Sequence, residues 1–168
     1  MTATPTAPQA PTAATRFLEA SGIPHEVRSY AYAPEKGHIG EQAATAIGEP
    51  REAVFKTLAG KIDRKRPFFA LIPVDDRADF KAIAAAMGGK NAKMMQPGEA
   101  HERTGYVQGG TTPLGSQEPF PVVLDESALK QPRIWINAGA QGLLVAVSPE
   151  DLKGLLDLTI APITQPAG

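Results

Sequence analysis

One lysine stands inside an apolar run. Val54-Phe55-Lys56-Thr57-Leu58 sets Lys56 between hydrophobic neighbours. As a strand, this run turns Lys56 away from Phe55 and Thr57. By pattern alone such a lysine lies on a solvated face. Turned towards a cleft, its ammonium would offer a point charge to a carbonyl, carboxylate or phosphate. The second unusual stretch is Thr104-Gly105-Tyr106-Val107-Gln108-Gly109-Gly110-Thr111-Thr112-Pro113-Leu114-Gly115. Its glycines permit left-handed turns or close backbone approach to a ligand. Composition alone makes it a tight surface loop. It is neither a Walker loop nor a dinucleotide fingerprint. Lys61, Arg64, Lys65 and Arg66 form a dense basic run, either a solvated hairpin tip or a phosphate-contacting patch.

Other chemistry is thinner. The chain has no cysteine, which excludes disulfides, iron–sulfur clusters and a cysteine nucleophile. His25, His38 and His101 lie far apart without metal-ligand spacing, so no metal and no cofactor is expected. Glu41, Glu52 and the Asp75-Asp76 pair have no fixed separation for acid–base work. Tyr30 and Tyr32 would share one face of an extended segment, where packing is the default account.

The elements that must position these residues are mixed. Ala13–Ser21 reads as a helix stopped by Gly22, and Glu41–Ile47 as a helix closed by Gly48. Asp79 caps a helix to Met87, whose Phe80, Ile83, Ala84 and Met87 form one stripe. A short helix near Gly98–Arg103 precedes the Gly-rich loop. Ser148-Pro149-Glu150-Asp151 opens the last helix. Strands are expected at His25–Tyr30, Val54–Leu58, Phe68–Val74, Val122–Asp125, Ile134–Asn137 and Leu143–Val147, with the turn between the second and third at Gly60–Pro67. This predicts an α+β domain with a largely antiparallel sheet. Phe68 to Ile72 is apolar throughout, so part of the sheet is covered on both faces or curls into a barrel.

The chain is 168 residues with net charge −1, so an RNA contact needs a local basic patch. No apolar run approaches a membrane span, and Met1–Ala14 lacks a secretory pattern, which fits a cytoplasmic protein. Residues 1–12 read as a disordered leader, 13–164 as one domain and 165–168 as a frayed tail.

Three motifs together resemble the YbaK/EbsC-type aminoacyl-tRNA deacylases, closest to the Cys-tRNA(Pro) branch. They are Val54–Leu58, Thr104–Gly115 and Asn137-Ala138-Gly139-Ala140-Gln141-Gly142-Leu143. The resemblance runs from about Ala13 to Ile163. It implies a twisted mixed β-barrel or sheet with flanking helices. It implies hydrolysis of the ester joining a wrong amino acid to tRNA(Pro), with the thiol of cysteine itself attacking the carbonyl. By motif match Lys56 is the catalytic lysine. Tyr30 and Thr57 line the pocket, and Gly109, Gly110, Thr111, Thr112, Pro113, Asn137, Ala138 and Gly139 form the wall around the small side chain. On this reading Gly110→Val damages activity more than stability. The implied partners are mischarged tRNA(Pro) and prolyl-tRNA synthetase. Many relatives carry Ser-Gly-Gly where this chain has Asn137-Ala138-Gly139, a basic pair in place of Ala140-Gln141, and an aromatic near Ile39. An editor of Ala or Ser, and a non-catalytic tRNA 3′-end binding module, are the alternatives.

Overall fold

Residues 11–33, 35 and 39–165 are described by the computed structural model of this chain. Residues 1–10 of the expected leader, residues 34 and 36–38, and the last three residues lie outside them.

The first helix, α1 (Ala13–Ser21), starts where the sequence places it. Thr12 is its N-cap: its hydroxyl accepts from the Thr15 amide at 3.1 Å, and its own amide donates to the Thr15 hydroxyl at 2.7 Å. Gly22 ends the helix at φ 72°. The Thr12 hydroxyl also donates to the Ala138 carbonyl at 2.6 Å. Thr12 is therefore part of the folded domain rather than of the leader, and it ties the chain start to a distant turn. Thr12→Ala loses the cap and this tether together. It should cost about 1–2 kcal/mol in urea unfolding; an unchanged midpoint would show that neither bond contributes.

After β1 (Glu26–Ser29) come α2 (Ile39–Ile47) and a 3-10 turn at Arg51–Ala53. Then follow β2 (Phe55–Ile62), β3 (Arg66–Pro73), the short β4 (Arg77–Ala78), α3 (Phe80–Ala86), β5 (Ala92–Met94) and α4 (Pro97–Thr104). The second half holds β6 (Val122–Asp125), a 3-10 segment at Glu126–Lys130, β7 (Ile134–Asn137), β8 (Leu143–Val147), α5 (Pro149–Leu155), β9 (Leu158–Ala161) and β10 (Thr164–Gln165). Gln165 is not frayed: it pairs with Arg77 in a two-stranded ribbon.

Two sheets build the domain. One runs β5-β2-β3-β6-β9, the other β1-β8-β7. β3 pairs with β6, and β6 with β9, in parallel; the remaining strand pairs are antiparallel. The five-stranded sheet is thus mixed, less antiparallel than the sequence suggests, because β6 and β9 return only after long crossovers. β3 is central and covered on both faces. Phe69 and Leu71 enter the core between the sheets, while Phe68, Ala70 and Ile72 pack under α3. A third cluster, with Trp135, Val54, Leu144 and Ala146, lies under α2.

β2 is longer than the sequence indicates. Gly60, Lys61 and Ile62 are strand, not turn, because β3 pairs with them on one edge and β5 on the other. Gly60 is required there: a Cβ would sit 2.5 Å from the Lys93 carbonyl and from the Phe68 ring. The turn narrows to Asp63 and Arg64, at φ 51° and 65°, closed by Lys65 N–H to Ile62 C=O at 2.9 Å.

Candidate active site

The two sheets meet where β2 begins. Val54 makes an isolated parallel bridge to Trp135 of β7. Two residues further along each chain stand Lys56 and Asn137, where the strands part: β2 continues to β5, and β7 stays with β8. This bridge brings the catalytic-lysine candidate and the late-turn motif to one seam.

On one side of the seam lies a cleft of about 160 Å³. Its lining includes Thr57, Tyr106, Gly109, Thr111 and Asn137, with α4 contributing His101. Thr57 is on the same face as Phe55 and Ala59 of the intersheet core. Its hydroxyl is buried and has no hydrogen-bond partner among the described residues. A buried hydroxyl without a partner carries a desolvation cost that a ligand group could relieve.

The Gly-rich loop is closed by its tyrosine. Tyr106 is buried, and its hydroxyl donates to the Leu114 carbonyl at 2.7 Å. Burial pushes the phenol up to about 12, so it acts as a neutral donor. The loop is seated on the turn after β7. Gly139 N–H donates to Gly110 C=O at 3.0 Å, and the Asn137 amide donates to the Thr111 carbonyl at 3.2 Å. The Gln141 side chain reaches the Gln108 carbonyl at 2.9 Å.

The predicted wall therefore divides. Gly109, Thr111 and Asn137 face the cleft. Gly110, Thr112, Pro113 and Ala138 are buried behind it, and Gly139 is wedged between Tyr106 and Thr12. Thr112 uses its hydroxyl to accept from the Leu114 amide at 3.3 Å. A Cβ on Gly110 would lie 2.9 Å from the Ala140 amide nitrogen. That glycine permits close approach of the neighbouring turn, so a stability loss is expected for Gly110→Val beside the loss of activity. Backbone cannot give way as a flexible side chain does. The variant should lose about 1–3 kcal/mol of stability along with activity. A normal unfolding midpoint with lost activity would restore the ligand-facing role.

On the other side of the seam, Lys56 is half-buried. Its Nζ donates to the Val74 carbonyl at 3.3 Å. Burial holds its pKa below the ordinary lysine value, against the pull of Asp76 and Asp75. Asp76 is pushed up, first by burial and then by Asp125 and Asp75, with Lys56 opposing. Asp75 is clamped by Arg51 through both carboxylate oxygens, with Nε to Oδ2 at 2.9 Å. Asp76 is the carboxylate whose field most favours the Lys56 ammonium.

Tyr30 packs on the Trp135 cluster, and its amide donates to the Gly142 carbonyl at 2.8 Å. Burial, aided by Tyr32, raises its phenol to about 12. Tyr30 and Tyr32 meet edge to face, with centroids 6.5 Å apart. Tyr32 then covers Gly109, where an added Cβ would fall 2.5 Å from its hydroxyl. Tyr32, Tyr106, His101 and Asp76 are site neighbours that the sequence names without giving them a role in the site. The spacing Tyr30-x-Tyr32 was equally explained by packing, and the Asp75-Asp76 pair by loop chemistry. His101 reaches the cleft by helix placement, which leaves no local pattern.

The family model described as the aminoacyl-tRNA editing domain matches residues 34–155, a span that includes Lys56, the Gly-rich loop and the late turn. This chain belongs to the aminoacyl-tRNA editing domain family. The editing domain is similar to a protein of Enterococcus faecalis assigned as Cys-tRNA(Pro)/Cys-tRNA(Cys) deacylase EbsC, with 31% identity over 93% of this chain and 94% of that one. It is also similar to the multifunctional Ser/Thr-tRNA deacylase ProXp-y of Escherichia coli K12, at 28% identity over 60% of each chain. Among solved structures, one assigned as a trans-editing enzyme for prolyl-tRNA synthetase superposes with a TM-score of 0.79. It has 25% identity and covers 94% of this chain and 99% of the other. Editing domains hydrolyse aminoacyl-tRNA esters, so the enzyme class is a deacylase. Among the described residues, no helix is long and apolar enough to cross a membrane.

Proposed function

We propose that this editing domain removes cysteine from mischarged tRNA(Pro), acting in the cytoplasm in trans to prolyl-tRNA synthetase. The observation that carries the reading is the small cleft with the unpartnered Thr57 hydroxyl beside Asn137 and Gly109. It suits a small aminoacyl group with one polar atom. In the proposed reaction the cysteine sulfur attacks the ester carbonyl. A carbon–sulfur bond forms, the carbon–oxygen bond to the ribose breaks, and the thiol proton leaves with the ribose oxygen. Water later opens the cyclic thioester. No protein nucleophile enters this scheme, so the protein contributes positioning and charge.

In this proposal the amino-acid side chain enters the cleft on the Thr57 face, while the ester carbonyl lies at the seam where β2 and β7 part. Lys56, which is not part of the cleft lining, then stabilises the negative charge that develops on the carbonyl oxygen from the other side of β2. Thr57, Gly109, Thr111 and Asn137 form the wall, and Tyr30 borders the substrate from the Lys56 side. Gly110, Thr112, Pro113, Ala138 and Gly139 hold that wall in place. Likeness to a Ser/Thr-tRNA deacylase favours a second reading, in which a hydroxyl side chain meets Thr57 instead. The first test is release of labelled cysteine from Cys-tRNA(Pro) by the purified protein, alone and with prolyl-tRNA synthetase. Multiple turnovers are expected. Binding of the charged tRNA without release would make the protein a 3′-end binding module.

A further inference from the structure

The cleft continues into a strip of positive charge. Six of the chain's 17 cations lie together: Lys61 on β2, Arg64, Lys65 and Arg66 at the turn, and Lys90 and Lys93 at β5. Outside them the chain carries 11 cations against 16 carboxylates, once Asp63 and Glu99 are counted with the strip. Six cations less those two acids leave the strip at +4. The Asp63 carboxylate accepts the Lys90 and Asn91 amides at 3.0 and 2.9 Å, so it is used on backbone. Glu99 holds Lys61 at 3.0 Å and shares itself with Arg103 at 3.1 Å. Among the described residues, no carboxylate pairs with Arg64, Lys65, Lys90 or Lys93.

Placement gives the strip a direction. Thr57, Ala59 and Lys61 alternate onto one face of β2, and the first two line the cleft. Lys93 is in register directly opposite Lys61. Like charges in that position destabilise a sheet, and a polyanion lying over them removes the repulsion. Lys61 is about 13 Å from Thr57 at ~3.3 Å per residue. Met94, next after Lys93, is 47% exposed and also lines the cleft, so cleft mouth and strip share one rim.

We propose that this strip holds backbone phosphates of the RNA strand whose aminoacylated 3′ end occupies the cleft. The proposal rests on the editing function above. It explains how an acidic chain can engage tRNA: the cations are gathered at one exit of the site. The contacts are to phosphates, so they add affinity for any tRNA and no base discrimination.

The test is binding of deacylated tRNA(Pro) by fluorescence anisotropy across a salt series. The double variant Lys65→Glu/Lys93→Glu should bind at least about 10-fold more weakly at low salt. Its slope of log affinity against log salt should be smaller by about 2. The milder Lys93→Gln should reduce the slope by about 1 and covers the case in which the double variant fails to fold. Lys130→Glu, exposed on the 3-10 segment after β6, is the charge-reversal control and should match wild type. Unchanged affinity and slope in both strip variants would overturn the proposal. A defect seen only with prolyl-tRNA synthetase present would also overturn it, making the strip a protein-docking surface. This readout needs no turnover. A wild-type protein that binds tRNA with the predicted salt dependence but releases no amino acid would sink the deacylase reading and leave the strip standing.

Discussion

Replacing Lys56 with methionine should lower kcat/KM for mischarged tRNA by about 100-fold or more while leaving the domain folded. Loss of one donor to a developing oxyanion is worth roughly 3 kcal/mol, which sets that scale. Methionine keeps the length and apolar stem of lysine but supplies no charge. The half-buried ammonium is held in a place that burial disfavours. Its removal should therefore leave the thermal midpoint unchanged or raise it, as at sites where function strains the fold. A partner variant isolates the charge. Asp76 favours the ammonium form, so Asp76→Asn should let Lys56 lose its proton at lower pH. The alkaline limb of the rate profile should then move towards neutral pH. Near-wild-type turnover by Lys56→Met would remove this lysine from the mechanism. An alkaline limb that stays in place in Asp76→Asn would remove the coupling.

Cysteine should leave tRNA(Pro) much faster than serine, and alanine should leave slowest. Cysteine and serine nearly match in size, so a small cleft sorts them poorly by fit alone. Chemistry does the sorting. A thiol yields a thiolate far more readily than a hydroxyl yields an alkoxide, and alanine has no side-chain nucleophile. Alkylating the cysteine sulfur on the charged tRNA should abolish release. All four substrates should be compared on one tRNA at one pH. Rapid hydrolysis of Ala-tRNA(Pro) would end the thiol-assisted scheme and leave water as the attacking group. Equal rates for cysteine and serine would favour a hydroxyl-accepting cleft, in which the Thr57 hydroxyl finds its partner in either side chain.

Much of this architecture is local and therefore written in the chain. α1 follows from a capping threonine and a left-handed glycine within ten residues. β3 follows from an apolar run with no alternation. The family motifs are short continuous segments, so they identify the chain without any fold. What only the tertiary structure decided concerns pairs of residues far apart in sequence. Alternation fixed Lys56 opposite Thr57, but not what either side of β2 would face. The bridge from Val54 to Trp135 sets that, and it joins residues 81 positions apart. The far end of β2 is held between β3 and β5, the latter a three-residue strand with no signal of its own. The role of Gly110 depends on Ala140, because a glycine that receives a substrate and one that receives a backbone look alike in sequence. Local propensity, caps and motifs are properties of a few neighbouring residues, and the sequence by itself determined them. Burial, field and close approach belong to surfaces that exist only after the two sheets close on each other.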